Sequence, residues 1–435
     1  MTQVVSHQIY PRLAGLRLVA LFLLGACAPA SPTPTAAGET SVPGTGAAEN
    51  PTSPASTEGS QGSINLSVWL PPTFDPNGGG LAAGMLRDRL DEFAEQHPQV
   101  RLEVRVKAEE GTGGLLDSML SAKAAAPLAL PDLVLLPHTQ LSAAVASQLL
   151  LPLAGLTETL DSDDWYTFAQ QLSQVGSSSY GLAFAADGLI LAYRPAAVAQ
   201  VPSAWQPLLE SGLQLGFAAA DPDALFALTQ LGAELATSAE RGEEFGFSEG
   251  TLTAVFEFFG AAQEQEVFPF WLSQYQTAEQ SWQAFSEGRV PMVAAWTSRA
   301  FDSRNVDIST APLPTPDGEP FVLVRGWVWA LSTSASARAG LVAQLAEFLT
   351  TPEFIAQWTA AAGFLPPRHS SLSAWSPGDK QTLASQIVES ATALPDEAAL
   401  DLWGGPLAEV VVALLKQELT PVEAAQQVLN EVGNR

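Results

Sequence analysis

Reactive side chains are scarce in this chain, and that scarcity narrows its chemistry. There is one cysteine, Cys27, so no internal disulfide can form. Besides His7 near the start, the histidines are His97, His138 and His369. None falls in an H-E-x-x-H zinc pattern, and no Walker A loop is present. No G-x-S-x-G nucleophile elbow occurs. The run GGGLAAG (Gly78–Gly84) fits G-x-G-x-x-A, but no acid ends the next strand as a dinucleotide site requires. It reads as a flexible loop, and no cofactor is expected. What is plentiful is carboxylate and indole: 46 Asp plus Glu and 11 Trp, against 5 Tyr. Two carboxylates suffice for glycoside hydrolysis, so a secreted glycosidase stays open as a rival. The other use of such residues is to hold a polar solute without converting it.

Position singles out some of them. Trp69 lies at the C-terminal end of the first strand, where open α/β sheets bind ligands. Trp296 ends the strand MVAAW. Trp271 and Tyr275, in FPFWLSQY, are weaker candidates, with core packing as the competing reading. Asp187 stands alone in an apolar strand, which is costly unless it is paired or reaches a cleft. Asp75 and Glu109 follow the first and second strands. Asp132 reads as a strand-edge or turn residue.

These residues need elements to position them. INLSVWL (64–70) alternates like a strand, and Leu86, Leu90 and Phe93 recur at helical spacing until Pro98. VRLEVRV (100–106) is a second strand, 113–126 a second helix, and PDLVLLP a buried strand. The order strand–helix–strand–helix–strand predicts a parallel α/β lobe. Further on, 180–195 and 321–332 are extended, 223–236 and 250–265 helical, and 281–298 reads helix, Gly turn, strand. Helices break at Thr351-Pro352, and the last two run over 406–417 and 421–432.

The N-terminus has its own logic. Arg12 and Arg17, the apolar run Leu18–Leu24 and the small Gly25 and Ala26 have the order of a secretory signal. Leu24-Gly25-Ala26-Cys27 resembles the bacterial lipobox, which implies a signal peptide over 1–26 and a lipid on Cys27 that ties the protein to the outer face of a membrane. Residues 27–63, rich in Pro, Ser, Thr and Gly, have too little apolar area to offset ordering entropy and read as a flexible linker. A formal charge of −27 should repel nucleic acid and anionic lipid. No second apolar run reads as long enough to span a membrane.

Five stretches, taken in order, resemble the extracellular solute-binding proteins of sugar ABC importers, the group that includes maltose-binding protein. They are YGLAFAADGLILAYR, PSAWQPLLESG, AFSEGRVPMVAAW, PLPTPDGEPFVLVRGWVWALS and EFLTTPEFIAQWTAAAGFLPPR. The resemblance implies a periplasmic-binding-protein-like α/β fold of two lobes joined by a hinge that the chain crosses more than once. Lobe one would be 64–184 with 312–360, and lobe two 185–311 with 361–435. It implies a monomer that clamps a carbohydrate and hands it to ABC permease subunits in the membrane, without catalysis. Trp327 takes the place of the Trp in the family's G-G-W turn, where Arg325 replaces the first Gly. Asp187 stands at the offset of a ligand-binding acid, and Arg368 matches an Arg of the family. Asp187→Ala and Trp327→Ala are then expected to weaken sugar binding while leaving the melting temperature within a few degrees. A polyamine, peptide or metal-chelate binder on the same fold is the alternative.

Overall fold

The computed structural model describes residues 63–241, 246–301 and 307–434. The signal, Cys27 and all but the end of the linker lie outside them.

A nine-stranded mixed sheet organises the chain. Its strands are β1 (Ile64–Leu70), β2 (Val100–Val106), β3 (Leu133–Pro137), β4 (Gly181–Tyr193), β5 (Leu215–Gly216), β6 (Met292–Trp296), β7 (Ser309–Ala311), β8 (Val322–Leu331) and β9 (Ala391–Ala393). The order is β2-β1-β3-β8-β4-β6-β5, with β9 on β8 and β7 on β4. The first three strands are parallel, joined by the helices Leu81–Gln96 and Leu115–Ala125. Leu86, Leu90 and Phe93 bury the inner face of the first helix, as their spacing requires.

The parallel pattern stops at β8. That strand comes late in the chain, inserts antiparallel between β3 and β4, and pairs with both. Gly326 leaves room for a packed side chain here: a Cβ on it would stand 2.3 Å from Leu172 Cδ1. β4 is long enough to serve two neighbourhoods. Residues 181–188 pair with β8, and 189–193 pair with β6 and β7.

Two hydrophobic cores result. One gathers Leu66, Phe184, Trp329 and Leu345; the other gathers Phe217, Phe256, Phe259, Phe268 and Leu407. Because side chains alternate along a strand, Ile190 and Ala192 of β4 enter the first while Leu189 and Leu191 enter the second. β8 divides in the same way, with Val322 and Val324 against Leu323.

Three expectations are corrected. The helix expected over 223–236 is two, Leu225–Gln230 and Gly232–Arg241. The second opens on Gly232, where any Cβ would meet the Phe321 ring at 2.2 Å. The helix expected to start at Pro406 runs Glu397–Leu415 with Pro406 inside it. Asp396 is its true cap, its side chain accepting from the Ala399 amide at 3.1 Å. By length and composition this helix is apolar enough to cross a membrane, although no such run was expected. Leu400, Trp403, Leu407, Val410, Val411 and Leu414 are buried, so its apolarity serves the second core.

Candidate functional site

Where β4, β8 and β6 meet, a carboxylate and a guanidinium sit opposite each other in register, Asp187 against Arg325. Asp187 is fully buried. Its Oδ1 accepts from Thr297 Oγ1 and the Ser298 amide, both at 2.8 Å. Its Oδ2 accepts from Ser298 Oγ at 2.7 Å and Arg325 Nη2 at 3.0 Å. Thr297 also accepts from the Gly188 amide at 3.1 Å. Four donors on two oxygens satisfy the carboxylate, which is what a buried charge requires. Asp187 therefore ties β4 and β8 to the helical turn that follows β6, and Arg325 is the member of the pair that reaches out of the sheet. Its guanidinium lies 4.1 Å from the centroid of the Trp296 ring, a cation–π stack.

Two cavities meet around Arg325. The larger, about 570 Å³, has Phe217, Phe226, Trp282 and Trp296 in its wall, with Asp221, Glu279 and Arg299 among its polar groups. The smaller, about 160 Å³, is lined by Glu109, Glu110, His138, Asp223, Trp296 and Trp327 and by Glu397 and Asp401. Asp223, Leu225, Trp296 and Arg325 border both. In the smaller cavity Trp327 belongs to the first core, and Trp296, Leu394 and Leu400 to the second.

Apart from Arg325, charge in the smaller cavity is one-sided. Burial pushes the Glu109 carboxyl up, while a 2.9 Å bond from Trp327 Nε1 and the Arg325 charge pull it back. Burial and the neighbouring Asp223 raise Glu110; burial and Asp401 raise Asp223. Glu397 is raised by burial and by Glu110, Asp401, Asp223 and Asp396. In the larger cavity Asp221 is pushed to about 6, chiefly by burial. His138 offers no compensating charge. Burial lowers its pKa, Nδ1 accepts from the Gly326 amide at 3.4 Å, and Nε2 lies 2.8 Å from the Leu394 carbonyl. Among the described residues no group of three or more His, Cys, Asp or Glu is placed to hold a metal.

Of the residues singled out in the sequence, Glu109, Trp296 and Trp327 come together at these cavities. Trp327 is mostly core, packed edge-on against Phe74 and Phe364. Asp187 lies behind the wall, consumed by protein donors. Trp69 is buried in the first core with Lys107 Nζ 4.5 Å from its ring. Asp75 folds back on its own loop, accepting from the Asn77 amide at 2.8 Å. Trp271 and Tyr275 pack edge-to-face at 5.4 Å, and neither is among the described residues lining the two cavities. Arg368 belongs elsewhere: it pairs with Asp164, stacks on Trp165 at 3.8 Å, and borders a separate hollow with Phe93 and His97. Arg325, Glu110, Asp223, Glu397 and Asp401 were not singled out as site residues. The available signal was Arg325 itself, a lone charge in an apolar strand like Asp187.

The chain matches the model of the family described as bacterial extracellular solute-binding protein over residues 88–384. A search of curated proteins finds no match. Solved structures share the fold at low identity. Maltose-bound MalE3 of T. maritima is 17% identical, with 86% of this chain and 100% of that one covered and a TM-score of 0.65. The sugar-binding protein MalE of Xanthomonas citri is 18% identical, with 86% and 98% covered and a TM-score of 0.67. The cyclic alpha-maltosyl-1,6-maltose binding protein of Arthrobacter globiformis is 16% identical, with 86% and 100% covered and a TM-score of 0.68.

Proposed function

The chain belongs to the bacterial extracellular solute-binding proteins, and from that premise we propose that it captures a carbohydrate, in the form of an oligosaccharide, and delivers it to an ABC permease. Lipid on Cys27 and the linker to residue 63 hold it, as a monomer, on the outer face of the membrane. The lobes are 64–184 with 312–360 and 185–311 with 361–435, and the solute sits between them.

One observation carries this reading: the larger cavity is edged by Trp282, Trp296, Asp221 and Glu279, and its wall draws on both hydrophobic cores. Aromatic faces suit the C–H patches of a sugar ring, and carboxylates and Arg325 suit its hydroxyls. Pockets between two packed bodies bury most of a small ligand's surface, and a solute that touches both sides favours the closed arrangement by its differential affinity. Trp296, which borders both cavities, is the sequence candidate best placed to contact it, with Glu109 and Trp327 beyond Arg325 in the smaller cavity. The maltose-type sugars named for the structural relatives make gluco-oligosaccharides the first ligands to try.

Titration calorimetry with malto-, cello-, xylo- and chito-oligosaccharides tests this. One-to-one binding of at least one series, with no product formed on long incubation, supports it. Release of shorter sugars would make the protein a glycosidase. Silence across all four series would end the carbohydrate reading. Loss of palmitate labelling in Cys27→Ser tests the anchor.

A further inference from the structure

Arg325, with Asp223, Leu225 and Trp296, borders both cavities. Its guanidinium is held from behind by Asp187 and lies along the face of Trp296. Asp187 in turn is fixed by Thr297 and Ser298, so the guanidinium is anchored through a buried network rather than swinging free. Its side chain is 39% exposed, enough to meet a solute. On one side lies the roomy, aromatic-walled cavity of about 570 Å³; on the other, the acidic one of about 160 Å³.

We propose that Arg325 is a specificity-determining residue that ends the binding site: a saccharide lies in the larger cavity, its last ring stops at the guanidinium, and the smaller cavity stays closed to further rings. This rests on the carbohydrate reading above. The physical argument has three parts. A planar guanidinium with several N–H donors is a good terminus for vicinal hydroxyls. The Trp296 face toward Arg325 is already covered, so a ring cannot stack there and continue past it. The buried clamp makes displacing Arg325 costly, because Asp187 would be left with a charge and no counter-ion.

The test is a length series. The binding sugar series, from two to seven units, is titrated into the wild type and into Arg325→Ala. Arg325→Gln is run beside them, since it keeps an N–H donor for Asp187 and covers the case in which the alanine variant does not fold. In the wild type, affinity should stop rising at some length. In either variant it should go on rising for at least one more unit, by about tenfold, while the shortest sugars bind several-fold more weakly. Identical length profiles in wild type and variants overturn the proposal but leave the carbohydrate reading standing. Absence of binding by every series in the wild type overturns both.

Discussion

Replacing Asp187 with alanine separates structure from ligand binding. The substitution removes one acceptor group and strands the Thr297 hydroxyl, the Ser298 amide and hydroxyl, and the Arg325 guanidinium. Each buried donor left without a partner costs about 1–3 kcal/mol, while the Arg325 charge, 39% exposed, keeps access to water. These terms share atoms and do not add, so about 4 kcal/mol is the working figure. The unit Ser60–Arg435 has an unfolding entropy of roughly 0.8 kcal/mol/K at the usual value per residue. A loss of ~4 kcal/mol then lowers Tm by about 5 °C. Differential scanning calorimetry of Asp187→Ala, with Asp75→Ala as comparator, measures it; Asp75 accepts one exposed bond and should leave Tm within about 1 °C. If Asp187→Ala melts with the wild type yet loses solute affinity, the carboxylate faces the ligand and the clamp described here is wrong.

Other changes have equally definite outcomes. Trp296→Leu keeps apolar bulk in the second core but removes the ring shared by both cavities; calorimetry should show sugar affinity reduced about tenfold, and unchanged affinity would take Trp296 out of the site. Asp221 is raised from 3.8 to about 6, so its stabilising contribution is full below the lower value and is lost as pH climbs through the upper one. Asp221→Asn should therefore match the wild type in urea unfolding near pH 4 and exceed it by on the order of 2 kcal/mol at pH 7, after allowance for partial exposure; a constant difference across pH would contradict this. Gly404→Ala would set a Cβ 2.4 Å from the Pro222 carbonyl oxygen and 2.9 Å from Asp223 Cα. Backbone cannot step aside cheaply, so a loss of about 1–3 kcal/mol is expected, whereas Gly340→Ala, with nothing within 4 Å, should be neutral or stabilising in the same assay.

Local structure was legible wherever the signal was itself local. The helix Leu81–Gln96 could be read from three apolar residues and a proline. The turn at Gly288 was readable because its φ of +76° is one that glycine tolerates. The break at Thr351-Pro352 followed from proline's preference for a first helical turn. That same preference misled at Pro406, where Asp396, a better cap, stood ten residues upstream. The site was harder. Asp187 and Arg325 were each visible as a lone charge in an apolar strand, but only the pairing of β4 with β8 reveals that they neutralise each other. Asp187 therefore looked like a ligand group when its capacity is spent on the protein. The carboxylates of the smaller cavity come from distant loops and helices, and nothing in their neighbours' sequence marks them as converging. Arg368 shows the opposite case: a motif position recognisable in sequence whose side chain is committed to Asp164 and Trp165.

The late arrival of β8 governs how the molecule must assemble. Trp329 lies opposite Leu135 on one side and Leu182 on the other, so the middle of the sheet stays vacant until most of the polypeptide has been synthesised. Such distant pairing carries a large loop-closure cost before any contact rewards it, and that slows the search for the native state. A nascent chain truncated before Val322 would display the open edges of β3 and β4, ready to pair with other chains.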